Sequence, residues 1–203
     1  MSETTVAAFL DLVAGRHGHF RLESGHHSGL WLDLDPLFAR PRRIEPFVAT
    51  LTSLLNSYDV EGVCGPLLGG AFLAQLVAQT LGVEFYFTER VMQPRNGASY
   101  QARYRLAPSL AARIRGKRIA MVDDVMSAGS ALRGTYTELE VNGAVPVVAA
   151  ALLVLGSTGA DFFSHCGVSV EAVARDEYEM WLPADCPLCA AEQPLEDVAA
   201  PAI

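Results

Sequence analysis

The chain of 203 residues contains 51% hydrophobic and 19% charged residues, and its formal net charge is −8. This length and composition suit one domain with a buried core and argue against disorder. The negative charge argues against a nucleic-acid partner, because general nucleic-acid binders need cations to replace the counterions around phosphates. A phosphorylated small molecule is compatible with it, because a local pocket can be cationic on an acidic protein.

The sequence does not show the usual features of secreted or membrane proteins. Its four cysteines do not form the dense pattern of a disulfide framework. The first residues lack the basic segment and apolar run of a signal peptide. The longest apolar run, residues 145–155, is well short of the ~20 residues that a membrane-spanning helix requires. We therefore expect a cytoplasmic protein without a membrane partner.

Strands and helices alternate along most of the chain. The predicted strands cover residues 19–22, 30–34, 60–64, 84–87, 118–122 and 145–154. The predicted helices cover residues 5–13, 44–55 and 130–140, and a further helix follows a Gly-rich turn at 65–70 and runs through residue 81. The polar residues 88–101 are interpreted as a long loop. This alternation predicts an α/β fold with a mostly parallel twisted sheet flanked by helices, in which ligands bind beyond the carboxyl ends of the strands.

The most informative segment is residues 119–133, which read IAMVDDVMSAGSALR. An apolar strand ends in two adjacent acids, Asp123 and Asp124, and a turn of small residues leads into a helix that starts near Ser130. Small residues let backbone N–H groups approach an anion, and a helix N-terminus adds unpaired donors and a positive dipole. The two carboxylates would repel that anion, so they must face sugar hydroxyls or a hydrated metal. The segment therefore predicts a site for a phosphorylated sugar.

This segment resembles the phosphoribosyl pyrophosphate signature of the type I phosphoribosyltransferase family. The resemblance implies that family's sheet with a small N-terminal hood-type segment. It also implies that Asp123 and Asp124 address the ribose hydroxyls and an attendant Mg²⁺, held through the bound substrate. The residues that would surround the 5-phosphate are Ser127, Ala128, Gly129 and Ser130. The alternative interpretation is an acidic strand end followed by a capped helix, with no ligand.

The Gly-rich turn at residues 65–70 resembles the pyrophosphate loop of the same family. Leu68, Gly69 and Gly70 would contact the pyrophosphate, and the glycines would permit positive φ angles and close backbone approach. A Gly-rich turn on its own is more often only a turn.

Residues 20–28 resemble the N-terminal segment of the orotate branch, which reads Phe-x-Leu-Lys-Ser-Gly-x-x-Ser. The resemblance implies that Glu23, Ser24 and His26 lie at the base. Glu23 replaces a lysine that contacts the base in that branch, and a carboxylate would repel the carboxylate of orotate unless it turns away or is protonated. Arg21 is a substitute cation, although strand alternation directs it away from Leu22.

The polar stretch that we interpret as a loop resembles the mobile catalytic loop of the family. Arg90 matches the arginine at its start and Gly97 matches a glycine, but Val91, Pro94 and Asn96 replace two lysines and a histidine. The resemblance implies that Arg90 and Arg95 stabilise charge on the departing pyrophosphate. A solvated loop with no catalytic part is the alternative.

Three further groups of residues are assigned no catalytic part. Cys186 and Cys189 have metal-knuckle spacing, but a closed zinc site needs four ligands. The second pair would have to come from Cys64, Cys166 or a distant histidine, so a reduced terminal pair is the favoured interpretation. The histidines at 26 and 27 are interpreted as turn residues near substrate or at the surface, and the tryptophans at 31 and 181 as packing residues.

These observations predict a single phosphoribosyltransferase domain, with a base-site segment at residues 1–40, a core sheet at 41–160 and a C-terminal tail at 161–203. The expected reaction is magnesium-dependent transfer of ribose 5-phosphate from phosphoribosyl pyrophosphate to a nucleobase, with orotate as the default acceptor and pyrophosphate as the other product. The alternatives are another acceptor base, or a regulator that binds phosphoribosyl pyrophosphate without turnover. By resemblance, we expect a homodimer.

Overall fold

The computed structural model describes residues 3–22, 24–94 and 100–198. The helices in these residues are α1 Glu3–Leu10, α2 Pro41–Leu55, α3 Gly69–Leu81, α4 Pro108–Ile114, α5 Ser130–Val141, α6 Thr158–His165 and α7 Pro187–Ala190. The strands are β1 Ala14–Arg21, β2 His27–Asp33, β3 Gly62–Pro66, β4 Glu84–Pro94, β5 Tyr100–Arg105, β6 Arg118–Met126, β7 Val145–Leu155, β8 Ser169–Asp176, β9 Met180–Trp181 and β10 Glu196–Asp197. None of the described helices is long and apolar enough to cross a membrane.

A six-stranded sheet forms the centre of the molecule, with the strand order β5-β4-β3-β6-β7-β8. The five strands from β4 to β8 in this order run parallel, and β5 pairs with β4 in the antiparallel direction. Parallel neighbours require crossover connections, which α3, α5 and α6 supply. The predicted α/β class with a mostly parallel sheet is confirmed.

Both faces of the central sheet are buried, because alternate strand residues point to opposite sides. One face packs against α1, α2 and α3, whose fully buried side chains include Phe9, Ile44, Leu51, Leu55, Leu73 and Val77. The other face packs against α4, α5 and α6, through Ile114, Leu132, Leu139 and Phe163. In β6, for example, Val122 belongs to the first core and Met121 to the second. The apolar strand before the two acids is thus fixed from both sides.

A second, small sheet has the strand order β10-β1-β2-β9. β1 and β2 form an antiparallel hairpin, and short strands from the C-terminal part of the chain pair with each outer edge. Arg16 on β1 forms an ion pair with Glu196 at 2.6 Å, and Arg21 forms one with Asp197. The hood-type N-terminal segment is therefore completed by residues from the other end of the chain.

Elements α4, α6 and β8 were not predicted from the sequence, and the structure differs from the stated predictions most clearly in two regions. The prediction of a long loop over residues 88–101 is wrong for its described part, because β4 extends to Pro94 and β5 begins at Tyr100. A projecting two-stranded ribbon with polar side chains lacks the apolar alternation that indicates a strand. The expected boundary between core sheet and tail at residue 160 does not coincide with the edge of the sheet, because β8 at Ser169–Asp176 is its last strand.

Candidate active site

The two adjacent acids lie near the carboxyl end of β6, which continues beyond them to Met126. Asp124 is buried with 6% exposure, whereas Asp123 is half-buried and lines a cavity. Asp123 Oδ1 accepts a hydrogen bond from the Asp124 backbone N–H at 3.1 Å, and Asp124 Oδ1 accepts one from the Val125 N–H at 2.7 Å. These bonds to the neighbouring backbone orient both carboxylates.

The small-residue turn after β6 leads into α5 at Ser130, where the sequence predicted the helix start. Gly129 precedes the helix with a φ angle of 73°, a left-handed conformation that favours glycine. Because Gly129 has no side chain, it makes no side-chain cap to the first amides of α5. Ser127, Gly129 and Ser130 line the same cavity as Asp123, and Ala128 is buried. The turn and the helix N-terminus thus form one wall of the cavity.

A contact from α6 supports this turn. The Gly159 N–H donates a hydrogen bond to the Ser127 carbonyl at 3.0 Å. A Cβ atom at Gly159 would lie 2.6 Å from that carbonyl oxygen, so only glycine lets the two backbones come this close. The sequence analysis did not identify Gly159, because its importance arises from the neighbouring loop and not from any local pattern.

The Gly-rich turn between β3 and α3 packs directly on the acids. A Cβ atom at Gly69 would lie 1.9 Å from Asp124 Oδ2, and one at Gly70 would lie 2.7 Å from Asp123 Oδ1. The prediction that these glycines provide positive φ angles is wrong, because Gly65, Gly69 and Gly70 all lie outside that region. They are needed for close approach: Gly69 and Gly70 approach the acid pair, and Gly65 approaches the backbone of Gly70.

The preceding peptide bond of this turn, Leu67–Leu68, is cis. Leu68 is 65% exposed, and the Leu67 N–H donates to the Thr88 carbonyl on β4 at 2.9 Å. Among the described residues, the cavity lining includes neither Leu68 nor the two glycines that follow it. The turn therefore meets the site through Asp123 and Asp124.

Arg90 lies on β4, beyond the last residue that pairs with β3, and it lines the cavity. The ribbon of β4 and β5 thus holds this arginine above the carboxyl end of the sheet. Arg95, the second predicted loop cation, lies outside the described residues. Of the described lining residues, Arg90 is the one that carries a permanent positive charge.

The hairpin of β1 and β2 forms the cavity wall opposite the small-residue turn at residues 127–130. Leu22, Ser24, Trp31, Leu32 and Leu34 line the cavity from this side. His26 is half-buried and its Nδ1 lies 3.1 Å from Ser24 Oγ, so it is held beside a lining residue. Trp31, interpreted from the sequence as a packing residue, packs beside Phe20 and Arg16 and also borders the cavity.

The predicted base segment at residues 20–28 contains two charged residues, Arg21 and Glu23. Glu23 lies outside the described residues. The Arg21 guanidinium is paired with Asp197 on β10, and the hydrogen bond from this pairing raises the pKa of Arg21. Arg21 is therefore committed to the edge of the small sheet rather than to the cavity.

Tyr178 and Val198 also line the cavity, and the sequence analysis identified neither. Tyr178 follows β8, and its hydroxyl donates a hydrogen bond to the Leu30 carbonyl on β2 at 2.6 Å. Burial raises the pKa of this phenol, which keeps it protonated as a donor at neutral pH. Tyr178 therefore joins the central sheet to the hairpin at the site.

The cavity enclosed by these walls has a volume of about 310 Å³. This volume is at the lower end of the range for small-molecule sites. One wall offers backbone donors and serine hydroxyls, the floor offers a carboxylate, and the hairpin offers an aromatic ring with leucines. Such a cavity can hold a ligand with an anionic end, a hydroxylated middle and a flat ring.

Solved phosphoribosyltransferases have this fold. Orotate phosphoribosyltransferase from Aeropyrum pernix is similar with a TM-score of 0.63 and 21% identity, over 86% of this chain and 93% of that one. Adenine phosphoribosyltransferase from Rhodothermus marinus is similar with a TM-score of 0.64 and 17% identity, over 86% of this chain and 100% of that one. The fold is that of the type I phosphoribosyltransferases.

Sequence similarity defines the family. Orotate phosphoribosyltransferase from Thermotoga maritima is 32% identical over 182 residues, which cover 88% of each chain. The protein of that name from Pelotomaculum thermopropionicum is 32% identical over 187 residues, covering 91% of this chain and 90% of the relative. No family model matches the sequence. The chain belongs to the orotate phosphoribosyltransferase family and is a phosphoribosyltransferase, which confirms the resemblance drawn from residues 119–133.

Proposed function

We propose that this enzyme transfers ribose 5-phosphate from phosphoribosyl pyrophosphate to orotate, with Mg²⁺, and releases pyrophosphate. The proposal rests on one observation. Asp123, the turn at residues 127–130, Arg90 and the hairpin wall with its aromatic ring all line the same cavity. These groups match, in order, the sugar, the 5-phosphate, the leaving group and the base of such a reaction. The relatives named orotate phosphoribosyltransferase support the choice of acceptor.

The 5-phosphate is assigned to the turn at residues 127–130. The N-terminus of α5 carries no side-chain cap from Gly129, and its dipole favours an anion. Ser127 and Ser130 add hydroxyl donors beside it. Gly159 holds the turn from behind through its bond to the Ser127 carbonyl, so the donors are oriented before the ligand arrives. Binding at this end positions C1 of the sugar near the acids.

The sugar hydroxyls are assigned to the acid pair. Asp123 lines the cavity, and Asp124 is buried behind it against Gly69. Carboxylate oxygens also suit Mg²⁺, which prefers oxygen ligands and retains several waters. Asp123 is therefore the residue that would approach the metal–substrate complex, and Asp124 would fix its position. When bound, Mg²⁺ offsets negative charge on the pyrophosphate.

The leaving group is assigned to the side of Arg90. Pyrophosphate leaves C1 through a transition state with oxocarbenium character, while a nitrogen of the base attacks the same carbon. Negative charge then builds on the departing pyrophosphate, and a guanidinium at the cavity wall stabilises it. Arg95 and the backbone of Leu68, Gly69 and Gly70 remain further candidates for the same group. Their contact with pyrophosphate is a prediction from family resemblance.

The base is assigned to the hairpin wall, where Ser24 and Trp31 line the cavity and His26 contacts Ser24. An aromatic ring suits a flat heterocycle. The lysine of the orotate branch is replaced by Glu23, and Arg21 is committed to Asp197, so the described wall offers no lysine or arginine for the carboxylate of orotate. Orotate is therefore the proposed acceptor on the basis of the relatives, and the acceptor is the feature to test first.

The test measures pyrophosphate release from phosphoribosyl pyrophosphate and Mg²⁺ with orotate, uracil, adenine, guanine and hypoxanthine in parallel. We expect release with orotate at least about 100-fold above the other bases if polar groups such as Ser24 and His26 pair with the acceptor that the names of the relatives support. Release with a different base would replace orotate as the acceptor. Binding of phosphoribosyl pyrophosphate without release for any base would contradict the proposal in favour of a binding regulator.

We also propose a homodimer, which rests on family resemblance alone. In the family a loop of one subunit closes on the site of its neighbour, and the β4–β5 ribbon is the element in the corresponding place. Light scattering of the purified protein should give twice the chain mass of 21.8 kDa. A monomer with full activity would remove shared loops from the mechanism.

A further inference from the structure

A cluster of four potential metal ligands lies outside the cavity, on the small sheet. It contains His19 on β1, His27 at the start of β2, and Cys186 and Cys189 at α7. Three of these residues are buried and Cys189 is exposed. The two pairs are separated by roughly 160 residues of sequence, so the tertiary fold alone brings them together.

The distances between the potential ligand atoms fit one tetrahedral metal ion. All four atoms lie within 4.8 Å of one another. His19 Nε2 lies 3.0 Å from His27 Nδ1, 3.4 Å from Cys186 Sγ and 3.7 Å from Cys189 Sγ, and Cys189 Sγ lies 3.3 Å from His27 Nδ1. With Zn–N near 2.0–2.1 Å and Zn–S near 2.3 Å, tetrahedral geometry requires separations of about 3.3–3.8 Å between ligand atoms. These four separations lie within a few tenths of an ångström of that range, and all six separations are at most 4.8 Å.

A contact from outside the cluster orients one of the rings. His19 Nδ1 lies 2.8 Å from the Gln193 carbonyl oxygen, which can only accept a hydrogen bond. This contact places the proton of a neutral ring on Nδ1 and leaves the lone pair of Nε2 directed at the other three residues. A carbonyl that fixes the tautomer of a histidine in this way is typical of metal-binding histidines.

The kind of ligand selects the kind of ion. Two thiolates and two imidazoles form the Cys2His2 set that structural zinc sites use, and they are too soft for Mg²⁺ or Ca²⁺. Four protein ligands complete the tetrahedral shell and leave no position for substrate, so the site is structural and not catalytic. Cys64 is buried in the core and Cys166 lies exposed after α6, so neither supplies the second ligand pair.

We propose that His19, His27, Cys186 and Cys189 bind one structural Zn²⁺ ion that fastens the C-terminal segment to the hairpin of β1 and β2. The ion would hold α7 between the two short strands, β9 and β10, that complete the small sheet. This proposal differs from the interpretation of Cys186 and Cys189 as a reduced terminal pair. The missing ligands are histidines that face each other across a hairpin, a pairing that their spacing in the sequence does not indicate. This proposal does not depend on the identity of the acceptor base.

The test begins with the metal content of the full-length protein, purified without chelators or an affinity tag that binds metals. Mass spectrometry of the metals should find about one zinc per chain. In Cys189→Ser and Cys186→Ser the zinc content should fall at least about 10-fold. Cys166→Ser is the matched control, because it removes an exposed thiol outside the cluster, and it should retain the zinc of the unchanged protein.

Cobalt replacement decides the result even if a variant fails to fold. Unchanged protein prepared with Co²⁺ should show the visible absorption of a tetrahedral site with thiolate ligands, and Zn²⁺ should abolish it. Chelation should lower the melting temperature of the unchanged protein by roughly 10 °C and leave that of soluble Cys189→Ser unaltered. Zinc below about one-tenth per chain together with no cobalt spectrum would overturn the proposal. A Cys186–Cys189 disulfide in freshly purified protein would do so as well.

Discussion

The central sheet is packed on both faces by apolar side chains, whereas the small sheet is joined mainly by polar contacts between distant parts of the chain. Strands β6 and β7 contribute long series of fully buried apolar residues. In the described strands of the small sheet, Phe20 is the one buried apolar side chain. Its edges are instead joined by Arg16–Glu196, Arg21–Asp197 and the cluster of histidines and cysteines.

The two sheets correspond to the two proposed substrates, the central sheet to the sugar phosphate and the small sheet to the base. In the proposed function, the sugar phosphate would lie against elements that the apolar core holds in place, and the base would lie against a hairpin held by charge pairs and the proposed metal. Changes at the carboxyl end of β6 should therefore act on the chemical step. Changes in the small sheet should act on affinity for the base. The following predictions test that division.

The largest effect is expected from Asp123→Asn, which removes the charge that lines the cavity while it keeps the side-chain shape. We expect kcat to fall by about 10²–10³-fold, the range for loss of one electrostatic contact in the transition state. The melting temperature should change little, because Asp123 is only half-buried. Steady-state pyrophosphate release measures the first quantity and thermal unfolding the second. A kcat within threefold of the unchanged enzyme would remove Asp123 from the mechanism.

A smaller but still large effect is expected from Gly69→Ala. The new Cβ would lie 1.9 Å from Asp124 Oδ2, so the turn or the acid must move. We expect a loss of about 1–3 kcal/mol in the free energy of unfolding and at least tenfold in kcat.

Gly29→Ala is the matched control on the small sheet, because its Cβ would meet no atom closer than 3.9 Å. Its activity should equal that of the unchanged enzyme. If Gly69→Ala and Gly29→Ala gave the same result in denaturant titration and in the activity assay, the proposed division of roles between the central sheet and the small sheet would be contradicted.

Tyr178→Phe should act mainly on the base. It removes the 2.6 Å hydrogen bond from the tyrosine hydroxyl to the Leu30 carbonyl, a contact worth about 0.5–1.5 kcal/mol. If the loss of this free energy destabilises the hairpin wall, the KM for orotate should rise about 2–10-fold. The KM for phosphoribosyl pyrophosphate should stay constant. Tyr58→Phe removes a comparable bond of 2.6 Å to Glu171, away from the cavity, and should alter neither constant. Parallel changes in both KM values for Tyr178→Phe would place its effect on the whole cavity.

The smallest effect is expected at Glu84, the first residue of β4, which lies far from the site. Hydrogen bonds from Lys117, Tyr86 and Arg113 lower the pKa of Glu84 from 4.5 to about 2. A depressed carboxyl pKa stabilises the fold above the unfolded value, and this stabilisation is lost as the pH falls from about 4.5 towards about 2.

Glu84→Gln should therefore lower the melting temperature by about 1–3 °C at pH 7, and the difference should shrink below pH 4.5. Glu45→Gln, an exposed carboxylate on α2, serves as the control and should show a smaller difference at pH 7. A difference for Glu84→Gln that is constant from pH 7 to pH 3 would argue against the ion pairs as its source.

The parts of the molecule that the sequence predicts well are those in which one local pattern determines the structure. Residues 119–130 combine a buried strand, paired acids and a small-residue turn in one continuous segment. This pattern predicts both the fold and the cavity wall that the turn forms. The antiparallel ribbon that carries Arg90 was not predicted, because its residues lack the regular alternation of polar and apolar types that indicates a strand.

The contacts that the sequence does not predict join residues far apart in the chain. Gly159 approaches Ser127, Tyr178 reaches Leu30, and His19 meets Cys186, each across tens to more than a hundred residues. A backbone clearance or one hydrogen bond leaves no periodic pattern in the sequence. These positions can be recognised only after the strand order is known.

The pairing of β1 with β10 has a consequence for biosynthesis. The strand that covers the outer edge of the hairpin comes from residues 196–197, which are synthesised long after the hairpin itself. The central sheet can assemble from β3 to β8 before those residues emerge, since all six of its strands precede residue 177. A nascent chain can therefore complete the central sheet, where the sugar phosphate would bind in the proposed function, before it completes the small sheet, where the base would bind.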